Sequence, residues 1–258
     1  MFSIVIPTLK KNIKVLNMLL QQLVEDDCIA EVILIDNTAK GFEYPSEKVK
    51  VIVPKKNLYV NPAWNLGVLN SSCDYIGLVN DDLIFPKNFF SQIFKFVSQT
   101  QNIGFCGIES VPKTNENYFA DYPAASILSF LKIEKRTLCW GSAIFFRKEN
   151  YINIPEKLKV FCGDDFLFYV SLKNNYDNYL VKNTNIFHLH SLTSGLKQFD
   201  KIKYKDQLLY KKINPLYSFT ERQNFSFWER VFSIKKSEDK RCLIFHIFGL
   251  KITIRKKI

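Results

Sequence analysis

Apolar residues in this chain fall into short unbroken runs separated by stretches of helical spacing. Phe2, Ile4, Val5 and Ile6 form a β-rich run that stops at Pro7-Thr8. Leu16, Leu19, Leu20 and Leu23 then recur on one face of a helix expected over residues 15–24. Val32-Ile33-Leu34-Ile35 reads as a second strand ending in Asp36-Asn37, and residues 49–53 as a third ending before Pro54. Residues 65–70 are expected on a helix, ahead of a fourth strand over residues 75–79 that ends at Asn80-Asp81-Asp82. Continuous apolar strands separated by helix-length segments imply parallel pairing with both faces of the sheet covered. The N-terminal third is therefore read as an open βαβ-type sheet.

In such sheets ligands bind outside the carboxyl ends of the strands, where strand order reverses. The polar residues at those ends are Pro7 and Thr8, then Asp36, Asn37 and Thr38, then Asn80, Asp81 and Asp82, and all should share one rim. Asp36 alone equally suits an Asx-turn. Adjacent carboxylates at Asp81-Asp82 repel unless a cation, hydrogen-bond donors or solvent relieve them. A second pair, Asp164-Asp165, opens the apolar stretch Phe166-Leu167-Phe168-Tyr169-Val170, read as the first turns of a helix. There the pair suits either a helix cap favoured by the dipole or a general base held at a helix start. His188 and His190 lie two apart on an extended segment and point the same way. As metal ligands they gain weight only if this segment folds back to Asp82.

Composition narrows the class. Of 258 residues, 47% are hydrophobic and 24% charged, which suits a folded α/β domain with or without a small appendage and excludes disorder over most of the length. No run of about 18 strongly apolar residues occurs, and the start of the chain lacks a basic leader, so a cytoplasmic protein without a membrane span is expected. The six cysteines have no close pair and are expected as reduced thiols. Residues 1–199 carry 21 Lys+Arg against 19 Asp+Glu, whereas residues 200–258 carry 15 against 6. That asymmetry predicts a near-neutral domain over 1–199 and a basic, aromatic-rich extension over 200–258. Residues 243–257 read as an apolar hairpin ending in a cationic cluster.

The ordered motifs resemble the family 2 inverting glycosyltransferases of GT-A fold, similar to bacterial surface-polysaccharide and lipopolysaccharide sugar transferases. They are Phe2-Ser3-Ile4-Val5-Ile6-Pro7-Thr8, Val32-Ile33-Leu34-Ile35-Asp36-Asn37, the segment from Asn57 through Trp64 and Asn65 to Gly67, and Asp74-Tyr75-Ile76-Gly77-Leu78-Val79-Asn80-Asp81-Asp82. Trp140-Gly141-Ser142, Gly163-Asp164-Asp165 and His188 complete the series over about residues 1–195. The resemblance implies an open, mostly parallel Rossmann-like sheet with flanking helices. It implies that Pro7, Thr8, Asp36, Asn37, Asn57, Asn65, Asn80 and Asp81 bind the nucleotide-sugar, with Asp36 on the pyrimidine ring. Asn80-Asp81-Asp82 looks like a DXD-type motif in which Asp82, with His188 or His190, would hold Mg²⁺ or Mn²⁺. Asp165 matches the catalytic base, with Asp164 as competitor, and Trp140, Gly141 and Ser142 would face the acceptor or donor sugar. A UDP- or TDP-type donor and a glycan or lipid-linked acceptor are the implied partners.

The chemistry asks for these residue types independently. Glycosyl transfer from a nucleoside diphosphate deprotonates the attacking hydroxyl, stabilises an oxocarbenium-like centre and neutralises a departing diphosphate. One carboxylate and one cation meet those needs. A basic tail interleaved with aromatics also fits contact with an anionic bilayer, or a helical appendage with solvated lysines. The net charge of +11 raises a rival, a non-catalytic polyanion- or nucleic-acid-binding protein, which leaves the carboxylate rim unexplained. A nucleotidyltransferase on a similar sheet is disfavoured, because no Gly-rich loop with a basic residue follows the first strand.

Overall fold

The computed structural model describes residues 1–108, 126–137, 139–189 and 199–215, together with the backbone of residues 232–236, 242–247 and 250–255. The chain divides into two compact units, Met1–Pro215 and Leu216–Ile258. The first opens with β1 (Phe2–Thr8), α1 (Ile13–Glu25), β2 (Ile29–Asp36), β3 (Val49–Ile52), α2 (Val60–Leu69) and β4 (Tyr75–Val79). It continues with β5 (Leu83–Ile84), α3 (Phe89–Gln99), β6 (Ile103–Ile108), β7 (Ser129–Ile133) and β8 (Ala143–Arg147). It ends with α4 (Gly163–Lys173), β9 (Asp177–Lys182), β10 (Phe187–His188) and α5 (Asp200–Ile213).

Eight of these strands form one sheet in the order β3-β2-β1-β4-β8-β6-β9-β7. β3, β2, β1 and β4 run parallel, as their unbroken apolar runs require, and β8 enters antiparallel between β4 and β6. The two faces are read out by alternation along each strand. Phe2, Ile4 and Ile6 of β1, with Val32 and Leu34 of β2, join Leu16, Leu19, Leu20 and Leu23 of α1 and Phe89, Phe90 and Ile93 of α3 in one core. Helix α1 starts where the Asn12 side chain accepts the Val15 N–H at 3.1 Å, an N-cap that satisfies one orphan donor. On the opposite face α2 lies so close to β1 that a Cβ on Gly67 would come within 2.1 Å of Val5 Cγ1. Only glycine allows that approach.

The packing divides the chain after Pro215, beyond the expected boundary at residues 199/200. Helix α5 belongs to the first unit, because Asp206, Gln207 and Tyr210 are buried and Asp206 and Tyr210 hydrogen-bond to the segment around α4. Of the lysines that marked residues 200–213 as extension, Lys201, Lys205, Lys211 and Lys212 are the outer face of a docked helix. In the second unit β11 (Phe232–Lys236), β12 (Cys242–Ile247) and β13 (Leu250–Arg255) form an antiparallel sheet in that order. β12 and β13 are the hairpin expected in residues 243–257, closing between Ile247 and Leu250.

Candidate active site

Parallel pairing sets the site. Val5 stands beside Leu78 and Thr8 beside Asp36, so β1, β2 and β4 end on one edge of the sheet. There Thr8 Oγ1 donates to Asp81 Oδ2 at 2.6 Å. Burial raises the Asp81 carboxyl to about 6, with the neighbouring Asp82 charge adding to burial and the Thr8 hydrogen bond opposing it. Asp36, fully buried, accepts from the Thr38 N–H at 2.9 Å and the Thr38 hydroxyl at 2.6 Å, and pairs with Lys10 Nζ at 2.9 Å. Burial alone would raise its carboxyl, but the Thr38 and Lys10 hydrogen bonds outweigh it and hold the group below its ordinary value. Beside these residues an open pocket of about 570 Å³ is lined by Leu9, Thr38, Asn57, Tyr59, Phe199 and Ile202, among others. Its size is that of a small-molecule site. Tyr59 meets the Phe199 ring edge-on at 6.1 Å and adopts φ 68°, ψ −170°, a backbone region that a non-glycine residue occupies only under strain.

Past Asp82 the chain makes the two-residue strand β5, and β10 pairs with it antiparallel, His188 opposite Leu83. The Leu189 N–H donates to the Asp82 carbonyl at 3.1 Å. This pairing brings His188 Nε2 to 3.4 Å from Asp82 Oδ1, with both side chains buried. The contact is not a hydrogen bond, and Asp82 Oδ1 stays buried without a hydrogen-bond partner. The condition set by the sequence, that this segment fold back to Asp82, is met for His188. His190 lies outside the described residues.

The second carboxylate pair sits on the first turn of α4. The preceding Cys162 takes a left-handed conformation, φ 61°, which turns the chain into the helix at Gly163. Arg136, on the segment after β7, binds both carboxylates: Nη1 reaches Asp164 Oδ2 at 3.0 Å and Nε donates to Asp165 Oδ1. Burial and the Asp164 charge push the Asp165 carboxyl up to about 6 against the opposing Arg136 charge. Asp165 Oδ2 is buried without a hydrogen-bond partner. From behind, the Tyr210 hydroxyl of α5 donates to the Asp165 carbonyl at 2.8 Å. Asp206 of the same helix accepts the N–H groups of Lys159, Val160 and Phe161 at 3.1, 2.7 and 2.9 Å. Arg136, Lys10, Asp206 and Tyr210 were not found by sequence reasoning. Lys10 alone carried a local signal, a lysine just past the strand end at Thr8.

The turn Trp140-Gly141-Ser142 links the two carboxylate groups. The Ser142 carbonyl accepts the Asn80 N–H at 3.0 Å, and a Cβ on Gly141 would lie 2.3 Å from Asp164 Oδ2. Trp140 is no sugar-facing wall. Its indole is fully buried against Gly107, edge-on to Phe168, and its N–H donates to the Tyr179 carbonyl at 2.8 Å. A large ring flanked by β6 and α4 gains more from the core than from solvent. Asn65 is likewise spent on packing: its side chain accepts from the Tyr151 hydroxyl and the Ile154 N–H and donates to the Ile154 carbonyl. Asn37 and Asn57 fix the backbone at Leu58 and Tyr59, and Asn57 also lines the pocket. Pro7 pairs with Ile35 one residue before the rim.

A mostly parallel sheet with an antiparallel strand inserted beside β4, and a carboxylate rim at the strand ends, defines a glycosyltransferase of GT-A type. The chain belongs to glycosyl transferase family 2, whose model matches residues 3–176. Among solved structures it is similar to that of S. aureus TarS 1-349, with 17% identity, 88% of this chain and 74% of that chain covered, and a TM-score of 0.53. TarS 1-349 in complex with UDP matches with 17% identity, 87% and 74% coverage and a TM-score of 0.56. Its complex with UDP-GlcNAc matches with 15% identity, the same coverages and a TM-score of 0.56. No curated protein sequence matches the chain. Among the described residues no helix is long and apolar enough to cross a membrane.

Proposed function

We propose that this glycosyltransferase moves a sugar from a nucleoside-diphosphate donor to a hydroxyl of a glycan or lipid-linked acceptor, with inversion, using Asp165 as general base and a divalent cation at Asp82. The observation that carries this reading is the closure of His188 onto Asp82 at the rim that holds Thr8 and Asp81. The pocket beside Asp36 has room for a nucleoside, and TarS, which shares the fold, binds UDP and UDP-GlcNAc.

The residues present fit a cation. Asp82 Oδ1 is buried and lacks a hydrogen-bond donor, a condition costly for a carboxylate oxygen unless something positive arrives in function. Asp82 and His188 would hold Mg²⁺ or Mn²⁺, and the donor diphosphate would complete the ligand set. Bound there, the ion supplies charge stabilisation for the leaving diphosphate. Asp165 Oδ2 takes the acceptor proton as the acceptor oxygen attacks the anomeric carbon, and the electron pair of the breaking glycosyl bond leaves with the diphosphate. A carboxyl near 6 is mostly ionised at neutral pH, yet basic enough to assist a hydroxyl only as the new bond forms.

The test is thermal stability with UDP, TDP, GDP and CDP, each with and without Mn²⁺, followed by release of nucleoside diphosphate from UDP-GlcNAc. A metal-dependent rise for one nucleotide, lost in Asp82→Ala, is expected. No rise with any nucleotide transfers the weight to the polyanion-binding reading. The lysine- and aromatic-rich residues after 215 support a second element of the proposal, contact with an anionic bilayer. The full chain is expected to co-sediment with phosphatidylserine vesicles and not with phosphatidylcholine vesicles; equal retention on both rejects it.

A further inference from the structure

We propose that Arg136 is a positioning residue for the catalytic base, holding Asp165 charged through Oδ1 and leaving Oδ2 as the atom that receives the acceptor proton. The inference rests on the reading of Asp165 as base and names what controls it.

Two carboxylates on one helical turn cannot both stay ionised in a partly dry site without a cation. Arg136 is that cation here, and it divides its donors. Nη1 goes to Asp164 and also donates to the Thr137 carbonyl at 3.2 Å, while Nε goes to Asp165 Oδ1. The guanidinium is always charged and its fork is rigid, so it fixes the rotation of the Asp165 carboxylate as well as its charge. The same geometry isolates Oδ2. A buried carboxylate oxygen without a donor is destabilising in the resting protein and is explained by a donor that arrives with substrate. An acceptor O–H is such a donor.

Among the described residues, the groups that act most strongly on this carboxyl come from three places. Asp164 stands beside it on α4, the Cys162 thiol hydrogen-bonds to it from the turn before α4, and Arg136 faces it from the segment after β7. From α5, the Tyr210 hydroxyl donates to its backbone carbonyl, and burial, with the charge of the carboxylate adding to it, raises the Tyr210 hydroxyl in turn. Burial and Asp164 both favour the protonated acid, and Arg136 and Cys162 oppose them. With Arg136 neutralised, the largest influence opposing burial and Asp164 is gone.

The experiment follows the Asp γ-carboxyl signals by ¹³C NMR across pH 4–9 in the wild type, R136Q and R136K, with D165N assigning the signal. R136Q keeps hydrogen-bond donors and removes the charge, and R136K keeps the charge and removes the fork. The Asp165 midpoint is expected to rise by about 1–3 pH units in R136Q and by less than half of that in R136K. The acid limb of nucleoside diphosphate release from UDP-GlcNAc should move with it. An unmoved midpoint in R136Q overturns the proposal, as does an equal shift in both variants, which would assign Arg136 to packing alone. The underlying reading fails separately, by D165N retaining full turnover. Should R136Q not fold, Arg136→Met gives the charge-free comparison and the same midpoints decide.

Discussion

His188 Nε2 stands 3.4 Å from Asp82 Oδ1 because β10 pairs with β5, the two-residue strand that directly follows the Asn80-Asp81-Asp82 turn. The carboxylate oxygen Asp82 Oδ1 is buried without a hydrogen-bond partner, and imidazole and carboxylate are the side chains that the proposed cation would take as ligands. Substituting His188 with Ala is therefore expected to weaken Mn²⁺ binding in the presence of UDP by about tenfold or more. Titration of Mn²⁺ by electron paramagnetic resonance reads this directly. Equal Mn²⁺ affinity in wild type and variant removes His188 from the site.

Asp165 carries a linkage whose sign is opposite to that of an ordinary ion-paired carboxylate. Its folded value is raised from 3.8 to about 6, by burial first and the Asp164 charge second. The native state therefore holds the proton more tightly than the unfolded chain does. The stability this supplies is fully present below pH ~4 and is lost as pH rises through about 6. The D165N variant lacks this loss, so its melting temperature relative to wild type should increase from pH 4 to pH 6.5 and then level off. Turnover in D165N should fall by at least about a hundredfold at every pH. A melting difference independent of pH would show that Asp165 titrates as an ordinary carboxylate.

The sequence made the N-terminal half legible and the support of the site illegible, for one physical reason. Strand ends write their own signals, since an apolar run must stop and polar residues must follow; hence Thr8, Asp36 and Asp81 were readable as one rim. Contacts between distant segments leave no periodic trace. Arg136 reaches Asp164 and Asp165 across the fold, and nothing in Glu134-Lys135-Arg136 separates it from a solvated charge cluster. Trp140 erred the other way, because an aromatic before a glycine reads alike whether it lines a cleft or, as here, fills the core over Gly107. Helix α5 hid behind its lysines: Asp206, Gln207 and Tyr210 are its buried residues, too polar a set to announce a docked face.

That docked face has a measurable role. The Asp206 carboxylate takes three successive N–H groups, from Lys159, Val160 and Phe161, in a turn that leads into Cys162 and the start of α4. Asp206→Ala leaves those donors without their acceptor and is expected to cost about 1–3 kcal/mol. At ~2–4 °C per kcal/mol for a chain of this size, calorimetry should show the melting temperature down by several degrees. Asp206→Asn keeps one oxygen in place and should recover part of the loss. If alanine and asparagine behave alike, the turn is held by packing.

Gly141 tests how closely the two carboxylate groups are tied. It sits between Cys139, whose φ of 64° turns the chain, and Ser142, whose carbonyl holds the Asn80 N–H at 3.0 Å. A Cβ on Gly141 would lie 2.3 Å from Asp164 Oδ2 and 2.6 Å from Asp164 Cβ, so alanine displaces either the carboxylate or the turn. Displacing Asp164 pulls on the guanidinium it shares with Asp165, and on the proposed reading this would turn the base away from the acceptor. Misplacement by about 1 Å in such a constellation costs on the order of a hundredfold in rate. Gly141→Ala is accordingly expected to lower kcat by that factor while the thermal shift with UDP and Mn²⁺ stays near wild type. The opposite pattern, an intact kcat with a lost nucleotide response, would mean that the strain passes through Ser142 to Asn80, placing the turn in the donor site and away from the base.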